Sequence, residues 1–217
     1  MAKNKVERDL AAARVALAKL REQARGCKRC DLWKLGTQTV FGEGPPLASI
    51  MFVGEQPGDA EDLAGVPFVG PAGRLLREAI EEAGIDSSDV YVTNAVKHFK
   101  WTPRGKRRIH ERPNRMEILA CKVWLEQEIA LVKPKAIVAL GATAASSLLG
   151  SSVRVTRDRA KPIPSTLAEL VTVTVHPSSV LRAPDSAARA LARRQLVDDL
   201  RSIAARVRRG PHSKVSR

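Results

Sequence analysis

Cys27 and Cys30 have the spacing at which neighbouring thiolates share one metal centre. A third cysteine, Cys121, stands far along the chain. Three is an odd number, so a disulfide framework does not account for them. Zinc and an iron–sulfur cluster both take such thiolates, and the fourth ligand is not a cysteine. Taken alone, the pair reads equally as a redox couple or as two buried thiols. A second group of reactive side chains sits in four short motifs. They are Gly54-Glu55-Gln56-Pro57-Gly58-Asp59, Asn94-Ala95-Val96-Lys97-His98, Gly141-Ala142-Thr143 and His176-Pro177-Ser178-Ser179. Their carboxylates, imidazoles and amide can move protons, read hydrogen-bonding groups and stabilise developing charge.

Each motif closes an apolar, β-branched segment, at 49–54, 90–96, 136–141 and 170–175. Such near-continuous apolar runs are expected of strands buried on both faces. Helical patterns lie between the first three, at 71–83, opening with Pro71 and closed by Gly84, and at 114–131. A short helix over 142–149 follows the third strand and ends at Gly150; a long Arg-rich helix covers about 185–208. Residues 6–25 form an amphipathic helix whose apolar side is marked by Val6, Leu10, Val15, Leu17 and Leu20. Residues 39–46 read as a loop with a short strand. The alternation predicts an α/β fold, a three-layer αβα sandwich with a central four-stranded parallel sheet. Ligands of such folds sit at the carboxyl ends of the strands, so all four motifs are expected on one edge. No GxGxxG follows the first strand and no P-loop is present, which excludes the usual dinucleotide and nucleotide cradles.

The 217 residues carry a formal net charge of +14. That excess favours a polyanionic partner, nucleic acid before a membrane surface. The first residues are basic without a following apolar region, so no secretory signal is read, and no run is apolar enough to span a bilayer. A cytoplasmic, monomeric protein is expected. Its single domain covers 1–209, with an N-terminal helix over 1–26, a basic loop insertion over 104–113 and a disordered tail over 210–217.

Four motifs in order, GEQPGDAED (54–62), GVPFVGPAGRLL (65–76), VTNAVKH (92–98) and VHPSSVLR (175–182), resemble the iron–sulfur uracil-DNA glycosylases of the family-4 type. The resemblance covers roughly residues 25–200. Gln56 stands where that family usually has Ala, and Gly105-Lys106-Arg107-Arg108-Ile109-His110 forms a basic insertion. Both features resemble the UdgX branch, whose members become covalently joined to uracil-containing DNA.

The resemblance implies a [4Fe–4S] cluster held by Cys27, Cys30, His98 and Cys121, with His98 at a position the family fills with Cys. The cluster would tie the N-terminal segment to the sheet edge. It also implies a pocket for a base flipped from the stack, in single- or double-stranded DNA. Phe68 is then the aromatic platform, and the Asn94 amide reads uracil N3–H and O4. His176 donates to O2, helped by backbone of the turn that starts at Gly54. Glu55 opposes the sugar cation, Gln56 contacts uracil, and Asp59 lies near the water path. His110 attacks the sugar in place of water. Arg108, with Lys106 and Arg107, holds the insertion against phosphate or against the protein. Ser178, Ser179, Leu181 and Arg182 approach DNA, with Leu181 either a wedge or the start of a core face. The loop at 70–73 opens a helix suited to phosphate. Without the motifs, Asn94 would read as a strand-end cap, Phe68 as core and His110 as a solvated loop residue. A hydrolytic glycosylase with the same pocket and a non-catalytic iron–sulfur DNA-binding module are the alternative readings.

Overall fold

Successive residues of a strand point to opposite sides, and here both sides are apolar. Ile50 and Phe52 enter one core cluster, while Met51 and Val53 enter another. Their strand, β1 (Ile50–Gly54), lies inside a four-stranded parallel sheet of order β2-β1-β5-β6. The partners are β2 (Val90–Asn94), β5 (Ala136–Leu140) and β6 (Leu170–Thr174), as the apolar runs predict. The computed structural model describes residues 2–209, and the tail expected over 210–217 lies outside them.

Helices cover both faces, giving the expected three layers. On one side lie α1 (Ala2–Arg25), α4 (Arg115–Val132) and α5 (Ala142–Leu149), which contribute Leu17, Leu20, Leu125, Ile129 and Ala145 to the core. On the other lie α3 (Pro71–Glu82), α7 (Pro177–Leu181) and α8 (Ser186–Arg209). Two short helices, α2 (Asp59–Ala64) and α6 (Val155–Asp158), lie between the longer elements. Among the described residues, no helix is long and apolar enough to cross a membrane.

Two local readings of the sequence are corrected. Val15 is 69% exposed, because α1 meets the core along the stripe through Leu17, Leu20 and Ala24. The basic insertion is not a loop. It is an antiparallel hairpin, β3 (Trp101–Arg104) and β4 (Arg107–His110), turning at Gly105-Lys106. The motifs after β1 and β6 run straight into α2 and α7.

A buried polar network welds α4 to β2. Lys97 and Glu128, both fully buried, form an ion pair. Glu128 also accepts the Tyr91 hydroxyl at 2.9 Å, the Thr93 hydroxyl at 2.9 Å and the Gly42 amide at 2.9 Å. Lys97 donates to Thr93 Oγ1 at 2.7 Å and to the Asn94 carbonyl at 2.8 Å. Partners on every side offset the cost of taking two charges out of water. Burial and the Glu128 carboxylate keep the Tyr91 phenol protonated.

Candidate active site

The parallel register sets Gly54 beside Asn94 at the carboxyl end of the sheet. A Cβ on Gly54 would stand 2.3 Å from Asn94 Oδ1 and 2.7 Å from Phe68 Cζ. Only glycine leaves room for that amide and that ring to approach. Phe68 itself has φ +57°, a left-handed conformation that side chains seldom adopt. Two features hold it there. Arg77 donates to its carbonyl at 2.8 Å, and α3 passes so close that a Cβ on Gly73 would stand 1.6 Å from the same oxygen. The His176 ring stacks on Phe68, with centroids 6.2 Å apart and planes 25° apart. These groups line a cavity of about 760 Å³ shared with Glu55, Gln56, Glu61 and His110.

His176 caps α7 with its own ring. The Ser178 amide donates to Nδ1 at 3.1 Å, which leaves the ring proton on Nε2. Burial, then Arg182, then His110 push its pKa down to about 4. The ring is therefore a neutral N–H donor, suited to an oxygen that gains negative charge.

Glu55 occupies the cavity mouth. Its Oε2 accepts the Thr143 hydroxyl and lies 3.7 Å from Arg112 Nε. Its Oε1 lies 3.4 Å from His110 Nε2. His110, last residue of the hairpin, is half-exposed and leans on the Phe99 ring at 6.1 Å. Thr143, Arg112 and Glu61 belong to this site although the sequence did not single out a role for them. Glu61 accepts the amides of Gly58 at 3.0 Å and Gly70 at 2.8 Å, so it clasps the turn after β1 to the start of α3.

The hairpin is anchored by residues expected to meet substrate. Arg108 reaches Asp59 Oδ1 at 2.5 Å and Asp62 Oδ2 at 2.6 Å, with its guanidinium over Phe99 and Trp101. Asp62 is fully buried and also accepts the Thr37 amide at 2.9 Å. Arg108 and Asp59 are thus engaged with each other. The Gln56 amide bonds to Lys100 and Glu111, where the hairpin joins the body. Lys106 and Arg107 are exposed at the hairpin tip.

Ser178, Ser179 and Arg182 line the cavity rim. Ser179 Oγ donates to the His176 carbonyl at 2.7 Å. Leu181 is partly buried and packs against the core cluster between the sheet and α8.

The three thiols gather near the start of α4. Cys30 and Cys121 share a small apolar cluster with Leu32 and Val96, and Trp124 Nε1 donates to Cys27 Sγ at 3.1 Å. The Lys97 amide donates to Cys121 Sγ at 3.1 Å. Burial pushes the Cys121 thiol up to about 12; Lys97 opposes that shift, while Cys27 and Cys30 add to it. His98, next to Lys97, pairs its Nε2 with Thr39 Oγ1 at 3.1 Å. Thr39 donates its own proton to the Ala24 carbonyl at 3.0 Å, so Nε2 of His98 carries the hydrogen and Nδ1 the lone pair. Among the described residues, no three such side chains already stand at metal-ligand spacing. The donor chemistry still suits a soft metal centre: thiols that influence one another's ionisation, N–H groups aimed at sulfur, and one imidazole lone pair.

The parallel-sheet edge of this α/β fold brings together an aromatic ring, an amide, a neutral imidazole donor and a carboxylate, a set whose chemistry suits a flat, hydrogen-bonding ligand. Sequence comparison makes this particular. The chain belongs to the uracil DNA glycosylase superfamily, whose pattern matches residues 41–201. It is 40% identical over 175 residues to the type-4 uracil-DNA glycosylase of Pyrobaculum aerophilum, covering 77% of this chain and 86% of that one. It is 42% identical over 162 residues to the type-4 uracil-DNA glycosylase of Thermotoga maritima, covering 74% and 81%. The type-4 enzyme of Sulfurisphaera tokodaii is 45% identical over 127 residues, covering 58% and 54%.

Proposed function

We propose that the protein excises uracil from DNA and that His110 then bonds covalently to the abasic sugar at C1′. The observation that carries this reading is the contact between His110 and Glu55 at 3.4 Å, at the mouth of the cavity that also holds Phe68, Asn94 and His176.

Uracil stacks on Phe68, and the Asn94 amide accepts from N3–H while donating to O4. Cytosine presents the opposite pattern there, which leaves buried groups unpaired at a cost of about 1–3 kcal/mol each. As the C1′–N1 bond breaks, its electrons leave on the uracil ring, and the His176 Nε2–H donates to O2. Glu55 opposes the positive charge left on the sugar. The unprotonated nitrogen of His110 then bonds C1′, and the proton on its other nitrogen passes to Glu55. A tethered imidazole can have an effective molarity of about 10⁵–10⁸ M, enough to outrun water.

The substrate is uracil-containing DNA, single- or double-stranded, bound by a monomer. Lys106, Arg107 and Arg182 supply phosphate contacts near the cavity, so affinity weakens as salt rises. Cys27, Cys30, His98 and Cys121 hold a [4Fe–4S] cluster in this reading. Bound there, the cluster supplies a structural tie between the segment after α1, the loop after β2 and α4.

Incubation with a uracil-containing oligonucleotide, followed by a denaturing gel, tests the proposal. A protein–DNA band that survives SDS is expected. Uracil release with only free abasic product would mean hydrolysis, and neither product would mean a binding module.

A further inference from the structure

We infer that Lys97 is a positioning residue for base reading: its ammonium, held by Glu128, grips the Asn94 carbonyl and so fixes the side chain that reads the base. This role rests on the reading of Asn94 proposed above.

Asn94 is the last residue of β2, where the chain leaves the sheet. A tight turn after such a residue often closes when the amide three positions on donates to its carbonyl. Here that amide is engaged elsewhere, because the Lys97 N–H donates to Cys121 Sγ at 3.1 Å. The side chain of the same residue takes its place. Lys97 Nζ curls back to the Asn94 carbonyl at 2.8 Å. An ammonium has three N–H groups. The other two meet Thr93 Oγ1 at 2.7 Å and Glu128 Oε2, so each has an acceptor.

The peptide unit between Asn94 and Ala95 is therefore held at both of its polar atoms. Lys97 holds the carbonyl, and the Ala95 amide donates to the Gly54 carbonyl at 2.9 Å. That sets the direction of the Asn94 Cα–Cβ bond and brings Oδ1 against Gly54. The grip is stiff at its other end as well. Glu128 is fixed by the Tyr91 hydroxyl and the Gly42 amide, each at 2.9 Å. Lys97, Glu128 and Thr93 are fully buried, so water does not replace any of them. An apolar pair of similar volume would serve stability as well. It could not hold that carbonyl. Lys97 thus divides its donors, with its backbone on a cysteine and its side chain on the base reader.

Removing one charge alone would strand the other in the core, so both are removed together. The experiment compares wild type, Asn94→Ala, and the double variants Lys97→Met/Glu128→Gln and Lys97→Met/Glu128→Met. Each double variant is also combined with Asn94→Ala. Circular dichroism checks folding, and the readout is the single-turnover rate of uracil release at saturating protein. Each double variant is expected to release uracil about 10–100-fold more slowly, the range that a small misplacement of a binding group produces. Adding Asn94→Ala should then give a rate within about 2-fold of Asn94→Ala alone, because Lys97 acts through Asn94. A merely structural loss would multiply with that of Asn94→Ala. An unchanged rate in a folded double variant, or losses that multiply, would overturn this inference alone. Release by Asn94→Ala at the wild-type rate would remove Asn94 as base reader, and this inference with it. No uracil release by wild type would overturn the proposed function itself.

Discussion

Nε2 of His110 stands 3.4 Å from Oε1 of Glu55, while the other oxygen of Glu55 is taken by the Thr143 hydroxyl. The carboxylate is therefore oriented before substrate arrives, with one oxygen held and one turned to the imidazole. Arg112, 3.7 Å from the held oxygen, adds a cation on the same side.

Glu55→Gln should slow uracil excision by at least about 10²-fold, the usual scale for losing a positioned acid or base. Thr143→Val should slow it less, by about 10-fold, because one hydrogen bond to a charged group is lost. Single-turnover rates of uracil release check both. Equal rates for wild type and Thr143→Val would remove Thr143 from the site.

Gly54→Ala should close the base cavity. The added methyl would meet Asn94 Oδ1 at 2.3 Å and Phe68 Cζ at 2.7 Å, so one of them must shift into the space for the base. Overpacking of this kind costs about 1–3 kcal/mol of stability. Loss of uracil release, with binding to undamaged DNA retained, is the expected result.

His176 should titrate near pH 4, not near the ordinary histidine value of about 6.5. Between those values the unfolded chain binds a proton that the folded protein refuses. This ring therefore lowers stability as pH falls through that window and adds no further loss below it. Its donor proton on Nε2 is present throughout. Imidazole proton shifts followed by NMR from pH 8 to 4 give the midpoint directly, and a midpoint above 6 would contradict the buried, neutral assignment.

Arg108→Lys should weaken capture although the charge is kept. A lysine cannot reach Asp59 and Asp62 with a planar fork, nor lie flat against Phe99 and Trp101 in the same way. The adduct yield should drop while uracil release persists. Gel quantification of both products, on one substrate, makes the comparison.

The sheet was legible because each strand is a short run of apolar, often β-branched residues, buried on both faces. The site was legible because a parallel sheet sends Glu55, Asn94 and His176 to one edge. The hairpin was not. Thr102-Pro103-Arg104 and Arg107-Arg108-Ile109 show no apolar alternation, and the pairing is fixed by contacts with Gln56, Asp59 and Asp62 far away in sequence. Arg108 read as a phosphate or protein anchor, and the acidic partners that decide between the two lie about 46–49 positions earlier. The helix α2 is too short for any periodicity to announce it. Val15 failed as a core marker because a 3.6-residue stripe on a long helix admits several apolar faces, and α4 selects only one.

Peptide mapping of the purified adduct by mass spectrometry tests covalent capture most directly. The mass of the abasic nucleotide should appear on the peptide that carries His110, and His110→Ser should yield uracil and free abasic DNA with no modified peptide. A modification on any other residue, or an adduct that persists in His110→Ser, would contradict it.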